Sequence, residues 1–300
     1  DFSKIIRSGD IALGVEDVRH QRLSGAISPR RKGVGLHPVP KNAKLGENAQ
    51  DIVPPACAAV FAAAALRRIV DETFSHVHET VAQGRSLTEY GVQQFILARI
   101  GEAGMVTSSA PIAAVDAHSA DPHYGPSETG SSDVVRDALL LIDLWARRAE
   151  AGSVYADITW TGYVGRTVPM KQREVFDMVR QGRDAALTFV RTEIAAGHRP
   201  FGWEVDDACR QVIQRAGYGD QFVHRTGHSI GEEVHGNGAN IDGLETQDTR
   251  RLMSRTCFSI EPGIYLPGEF GIRSELDVYI AEREALVFGL PLQNEIISIC

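Results

Sequence analysis

The sequence predicts an α+β molecule built from two similar halves, and three observations carry that prediction. Apolar residues recur with a helical period over 56–104 and again over 169–217. Each of these regions is followed by short runs rich in β-branched and aromatic residues, which read as strands. The stretch VAQGRSLTEYGVQQFILARIGEAG (81–104) also resembles IAAGHRPFGWEVDDACRQVIQRAG (194–217). In that match Gly84 and Gly104 fall on Gly197 and Gly217, Tyr90 on Trp203, Val92 on Val205 and Ile100 on Ile213. A duplicated helix pair, followed each time by strands, leaves a cleft where the two sheets meet, a usual place for a site.

Residues 1–55 show no sustained period and are dense in turn formers, so an extended arm or the remnant of a reduced N-terminal domain is expected there, ending at Pro54-Pro55. From Ala56 to Gln83 the pattern is one long helix, with Leu66, Ile69, Val70, Phe74, Val77 and Val81 on one face and Gly84 as its stop. Thr88 caps a second helix whose apolar face is Val92, Phe95, Ile96 and Ile100 and which ends near Gly104. APIAAVDA, LLLIDLWA and YADITWTGYVG read as strands. Pro169 suits the start of a third helix running to Gly197, and a fourth runs from Trp203 to Gly217. The last third is strand-like: TCFSIEPGIYL, GIRSELDVYIAE and EALVFGL. Residues 56–300 are thus expected to form the folded catalytic part.

Composition limits the function. At 43% hydrophobic and 23% charged, the 300 residues suit an ordinary folded core rather than a disordered or fibrous chain. The formal net charge of −8 argues against a polyanionic partner, so no nucleic-acid binding is expected. Cys57, Cys209, Cys257 and Cys300 lie far apart without a C-x-x-C pair, which points to a reducing compartment and a cytoplasmic protein. The most apolar stretch, ACAAVFAAAAL at 56–66, is shorter than a membrane span and runs into Arg67 and Arg68, so no membrane partner is expected. The chain opens at Asp1, and its natural N-terminus is expected to lie upstream.

The chemistry gathers in the last two thirds. HRTGHSIGEEVHG (224–236) sets three of the ten histidines among glycines that would cost a helix about 1 kcal/mol each, so a metal-sharing helix face competes there with a glycine-rich surface loop carrying incidental histidines, and carboxylates elsewhere decide between them. Four carboxylates interrupt apolar strands: Asp143 in LLLIDLWA, Asp157 in YADITWTG, Glu261 in CFSIEPGIY and Glu275 in GIRSELDVYI. A charge in such a strand costs several kcal/mol unless it is paired or binds metal. Four carboxylates and an imidazole suit two divalent cations, and this oxygen-rich set favours Mn²⁺, Co²⁺ or Zn²⁺ over a thiolate site. Two ions about 3.5–4 Å apart can hold a hydroxide between them and polarise a carbonyl.

With DPHYGP, LLIDLWA, YADITWTGYVG, HRTGHSIGEEVHGNG, FSIEPGIY and GIRSELD in this order, the chain from about residue 66 onward resembles the pita-bread (M24-type) metallopeptidases. That family includes methionine aminopeptidase, Xaa-Pro aminopeptidase and Xaa-Pro dipeptidase (prolidase). The resemblance implies the pita-bread fold, two pseudo-symmetric halves of antiparallel sheet flanked by helices. It implies Asp143, Asp157, His228, Glu261 and Glu275 as ligands of two divalent ions, Mn²⁺ foremost with Co²⁺ or Zn²⁺ as alternatives. It also implies His123, His224 and His235 as active-site histidines that do not bind metal. Glu261 is the candidate to take up a proton as well, and a homodimer acting on a proline-containing dipeptide or short peptide is expected. Members that cleave before proline carry an arginine two residues ahead of the last glutamate, which is Arg273 here. On an extended strand that arginine shares a face with Glu275. Tyr265, by the same reasoning, shares a face with Glu261 and is a candidate transition-state donor or a packing residue.

The chain departs from the family pattern at four places. An insertion around RRAEAGSV lengthens the gap between Asp143 and Asp157, Asp137-Ala138 stands for Gly-Asp, Ser254-Arg255 for Pro-Gly, and Trp160 for a frequent arginine. The expected activity is Xaa-Pro dipeptidase. Xaa-Pro aminopeptidase on longer peptides is the near alternative, and a catalytically silent binding module on the same fold is the alternative from another class.

Overall fold

The computed structural model of the chain describes residues 55–300. The arm expected over 1–55 lies, up to its last residue, outside the described residues.

Helix α1 (Pro55–Ala82) opens the fold, and Gly84 turns the chain in the left-handed region at φ +66°. Helix α2 (Glu89–Glu102) follows, its Thr88 side chain accepting the N–H of Gly91. A short strand β1 (Met105–Val106) and β2 (Ile112–Val115) pair one after the other along β3 (Leu139–Arg148). Between β2 and β3 a 3₁₀ turn spans Asp116–Ala120. β3 pairs antiparallel with β4 (Ala156–Tyr163), and the RRAEAGSV insertion forms the end of β3 and the turn that joins the two.

The second half repeats this plan. Helices α3 (Met170–Ala195) and α4 (Gly202–Arg215) precede β5 (Ser229–Ile230), β6 (Cys257–Ile260), β7 (Gly263–Leu266), β8 (Phe270–Arg273), β9 (Leu276–Ile280) and β10 (Ala285–Phe288). β10, β9, β6 and β5 form an antiparallel sheet, and β7 and β8 a separate hairpin. A last strand, β11 (Ile297–Ser298), returns to the first sheet and pairs parallel with β4, the one exception to antiparallel pairing among the described residues.

The duplication seen in the sequence is physical. Gly84, Gly104, Gly197 and Gly217 all take φ between +66° and +87°, where a side chain would be strained. Thr88 bridges to Asp133, and its match Phe201 bridges to Arg251. Gln93 reaches the carbonyl of Pro111 at 2.8 Å, and its match Asp206 accepts the N–H of Thr226 at 2.9 Å. The matched helices thus use the same position to hold the segment that follows.

Period-2 alternation decides what faces the cleft. On β3, Leu140, Ile142, Leu144 and Ala146 join the core cluster under α1 and α2, and on β4 so do Ala156, Ile158 and Trp160. The other face therefore carries Asp143 and Trp145 on β3 and Asp157, Thr159 and Thr161 on β4. Apart from Asp143, LLLIDLWA is apolar on both faces because both faces of the strand are covered. A second core cluster fills the space between α3, α4 and strands β6 to β9.

Two expectations need correcting. Phe95 is not part of the buried face of α2; it is half-buried and stacks on His76 with ring centroids 4.2 Å apart. TCFSIEPGIYL and GIRSELDVYIAE are each two strands, broken at Glu261-Pro262 and Ser274-Glu275. Proline lacks the N–H that a continuing ladder needs at the first break. Among the described residues no helix is long and apolar enough to cross a membrane.

Candidate active site

β4 supplies Asp157, the break after β8 supplies Glu275, and the glycine-rich loop before β5 supplies His228. One ligand-capable atom from each of the three lies within 4.8 Å of the others, and all three residues are buried. The loop gets this close because Gly227 has no side chain: a Cβ there would stand 2.0 Å from the carbonyl oxygen of Ser259. The N–H of His228 is donated to Ser259 Oγ at 3.0 Å, and that hydroxyl donates to Glu261 Oε1 at 3.0 Å. His228 Nδ1 lies 3.1 Å from the Ser229 carbonyl, so it carries a hydrogen and leaves Nε2 to face Asp157 at 3.6 Å and Glu261 at 3.3 Å.

Glu261 meets this trio directly at His228, and Asp143 joins it through Thr159. Thr159 Oγ1 lies 2.8 Å from Glu275 Oε2 and 3.0 Å from Asp143 Oδ1, and a hydroxyl has one hydrogen to give, so it serves one of the two at a time. Arg273 holds the other Asp143 oxygen, Oδ2, at 2.5 Å.

The fit to a cation follows from unmet chemistry. Asp157 Oδ1 and Glu275 Oε1 are buried without a hydrogen-bond partner. Burial among other carboxylates raises Asp157 to about 7 and Glu275 well above the usual carboxylate range. Burial alone would lower His228, but its contact with Asp157 and the charge of Glu261 outweigh that and raise it to about 9. Unpartnered hard oxygens on carboxylates gathered with an imidazole fit a divalent cation bound by oxygen and nitrogen, which would take the place of the imidazole's second proton. Glu261 differs: burial opposes its ionised form, but His228, Arg273 and His224 win and hold it below the ordinary carboxylate value.

Arg273 and Glu275 converge on the same side although β8 ends at Arg273: both reach Thr159 Oγ1, at 3.0 and 2.8 Å. The guanidinium also grips Asp143 and donates to the Tyr265 hydroxyl at 3.1 Å. Tyr265 in turn stands on β7, beyond the Pro262 break from Glu261, and its hydroxyl lies 2.8 Å from His224 Nε2. His224 Nδ1 lies 2.6 Å from the Arg225 carbonyl and so carries the hydrogen. Burial first, with Arg273 behind it, lowers His224 to about 4, leaving Nε2 an acceptor. The order is fixed: Arg273 donates to Tyr265, and Tyr265 donates to His224. Burial pushes the Tyr265 hydroxyl up to about 12, so it keeps its proton and is fully occupied here.

His123 and His235 meet the cleft differently. Both are exposed, both line the cleft of about 590 Å³ that also holds Asp143, Asp157, His228, Glu261 and Arg273, and no hydrogen bond engages either ring among the described residues. His235 stands edge-on to His228 with centroids 4.4 Å apart. Partial enclosure by the cleft wall, then the charges of His228 and Arg225, lower its pKa.

The model of metallopeptidase family M24 matches residues 57–282. The chain belongs to this family. The M24 assignment agrees with the solved structures that the fold resembles. Dipeptidase PepE from Mycobacterium ulcerans superposes with a TM-score of 0.67 at 29% identity, over 82% of this chain and 60% of that one. X-Pro aminopeptidase from Thermotoga maritima gives 0.67 at 28%, over 81% and 62%. The fold is the pita-bread fold. In sequence, an Xaa-Pro dipeptidase of Lactobacillus helveticus is 36% identical over 158 residues, 53% of this chain and 38% of that protein. The chain thus spans well under two thirds of the length of that M24 relative.

Sequence reading passed over Thr159, Ser259 and Asp277. Asp277 is fully buried and accepts the N–H of Asp157 at 2.9 Å, fixing β4 from the opposite half. Its one visible signal is a charge in LDVYI, two residues past Glu275.

Proposed function

We propose that residues 56–300 form the catalytic domain of a dinuclear metal-dependent peptidase that cleaves the bond between an N-terminal residue and proline, with dipeptides as the favoured substrates. The observation that carries this reading is the buried trio of Asp157, His228 and Glu275, with two unpartnered carboxylate oxygens, beside an arginine that grips Asp143. Asp143, Asp157, His228, Glu261 and Glu275 would hold two divalent ions, Mn²⁺ foremost and Co²⁺ or Zn²⁺ as alternatives. When bound, the ions supply Lewis acidity toward the scissile carbonyl and water activated near neutral pH.

The chain's own groups do the rest. Glu261 stays ionised and can take up the proton released by the attacking water. His123 and His235 present rings to the cleft and can donate N–H to the oxygen where negative charge develops. Arg273 keeps Asp143, Thr159 and Tyr265 in register, and His224 anchors Tyr265. A homodimer in the cytoplasm is part of the same proposal. The separately buried thiols Cys209 and Cys257 support a reducing compartment, and sedimentation tests the dimer.

The test is turnover of Ala-Pro, Ala-Pro-Ala and Met-Ala-Ser at saturating Mn²⁺. Preference for Ala-Pro is expected. Preference for Ala-Pro-Ala would select the aminopeptidase activity, and preference for Met-Ala-Ser would refute cleavage before proline.

A further inference from the structure

The chemistry above leaves several buried acids unused, Glu89 among them. Glu89, the first residue of α2, is fully buried and collects donors from three separate segments. The N–H of Val115 at the end of β2 reaches it at 2.7 Å, and the N–H of Ser132 at 2.7 Å. His118 Nδ1, from the 3₁₀ turn, lies 3.0 Å from both of its oxygens. The Tyr124 hydroxyl donates to it at 2.5 Å. A carboxylate at the first turn of a helix is favoured by the helix dipole, and one so fully engaged is a fixed point, since shifting any donor leaves a buried acceptor unmet.

What this point fixes is the segment that carries His123. The Tyr124 ring stacks on His118 with centroids 4.4 Å apart, while its hydroxyl is tied to Glu89. The N–H of His123 is donated to Asp121 Oδ1 at 2.9 Å, and that of Tyr124 to the Asp121 carbonyl at 3.1 Å. The His123 ring itself is tethered to nothing among the described residues, so its aim depends on how firmly this short segment is held. Tyr124 is the link between that segment and the buried acid.

The geometry points to Glu89 as a positioning residue that, through the Tyr124 hydroxyl, holds His123 at the lip of the cleft. The second half is built alike. Asp206, whose match in the first half is one helical turn beyond Glu89, accepts both the N–H and the hydroxyl of Thr226, at 2.9 and 2.7 Å. It also binds Arg210, which donates to the carbonyl of His224 at 2.8 Å. Each half therefore anchors its histidine-bearing segment on a buried carboxylate of the preceding helix. Burial and Glu89 push the Tyr124 hydroxyl up to about 12, so it remains a donor across the neutral range.

This inference rests on the proposed role of His123, and the experiment separates the two. kcat, KM and Mn²⁺ affinity are measured for wild type, Tyr124→Phe, His123→Ala and the double variant on Ala-Pro, with hydrogen exchange of residues 121–126 followed alongside. Tyr124→Phe removes one oxygen and keeps the ring stack, so it avoids the folding risk of Glu89→Gln. The expected result is a drop of roughly tenfold in kcat for Tyr124→Phe with KM and Mn²⁺ affinity kept. Exchange over 121–126 becomes faster, and no further loss follows when the change is made on His123→Ala. Equal losses in both backgrounds, or unchanged exchange, would overturn the positioning role. A His123→Ala variant with wild-type kcat would refute the role of His123, and the exchange result alone would then decide whether Glu89 holds the segment.

Discussion

Arg273 makes more directed contacts than the Asp143 carboxylate it grips. At 4% exposure it gives hydrogen bonds to Asp143, Thr159 and Tyr265 from three nitrogens held in one plane. A lysine keeps the charge but has a single nitrogen on a flexible stem, so it cannot serve these acceptors at once. Arg273→Lys is expected to leave metal uptake in place and to lower kcat/KM on Ala-Pro about a hundredfold, the equivalent of about 2–4 kcal/mol of lost positioning. Paired Mn²⁺ titrations and Ala-Pro kinetics check it. An arginine that merely paired with a surface carboxylate would leave both nearly unchanged.

Among the structural elements, the turns before β3 and β6 carry visible strain. Asp137 and Arg255 stand where the family pattern has glycine, and both take positive φ, +67° and +69°. A left-handed residue other than glycine costs roughly 1–2 kcal/mol, and aspartate tolerates the region better than arginine does. Arg255→Gly is therefore expected to raise the melting temperature by a few degrees, with a gain of about 0.5–1 kcal/mol after the added flexibility of glycine in the unfolded chain. Asp137→Gly should gain less, because it also loses the contact between Asp137 Oδ1 and the Tyr163 hydroxyl. Thermal melts of the two variants rank them.

Long periodic segments were legible to within a residue or two: the first helix, expected over 56–83, spans Pro55–Ala82, and all four glycine stops lie at positive φ. Strands β1, β5 and β11 were not legible, because two residues carry no period. The carboxylates were visible because a charge in an apolar strand is anomalous. Thr159, Ser259 and Glu89 were not, since a hydroxyl or a helix-start acid is ordinary in sequence and matters here only through partners far along the chain.

Taken as a whole, the molecule joins its halves through the site. Besides Thr159 and Asp277, Gln293 receives the N–H of Thr161 at 3.0 Å and donates to its carbonyl at 2.6 Å, and buried Arg183 holds Ser274 Oγ and the Gln293 carbonyl, each at 2.8 Å. Electrostatics at this joint should therefore appear in global stability. A carboxylate raised by folding, as Asp157 is to about 7, contributes stability that is complete below its unfolded pKa and is lost as pH climbs through the folded one. Glu275 and Asp277 shift the same way, and His228, raised to about 9, extends the loss upward. With chelator present the melting temperature is expected to fall steadily as pH rises above about 4, toward 8. Excess Mn²⁺ should restore more stability at pH 8 than at pH 5, because metal and protons compete for the same atoms. Equal restoration at both values would mean that metal binds elsewhere.

The central claim is that five residues of this chain hold two divalent ions on which cleavage before proline depends. Its most direct test is a titration of chelator-stripped protein with Mn²⁺, recording bound metal and Ala-Pro hydrolysis in the same samples. Hydrolysis is expected to be absent without metal, to rise with occupancy and to saturate at two ions per chain, while Asp157→Asn binds less metal and stays inactive. Full activity in the stripped protein, or activity indifferent to bound Mn²⁺, would contradict the claim.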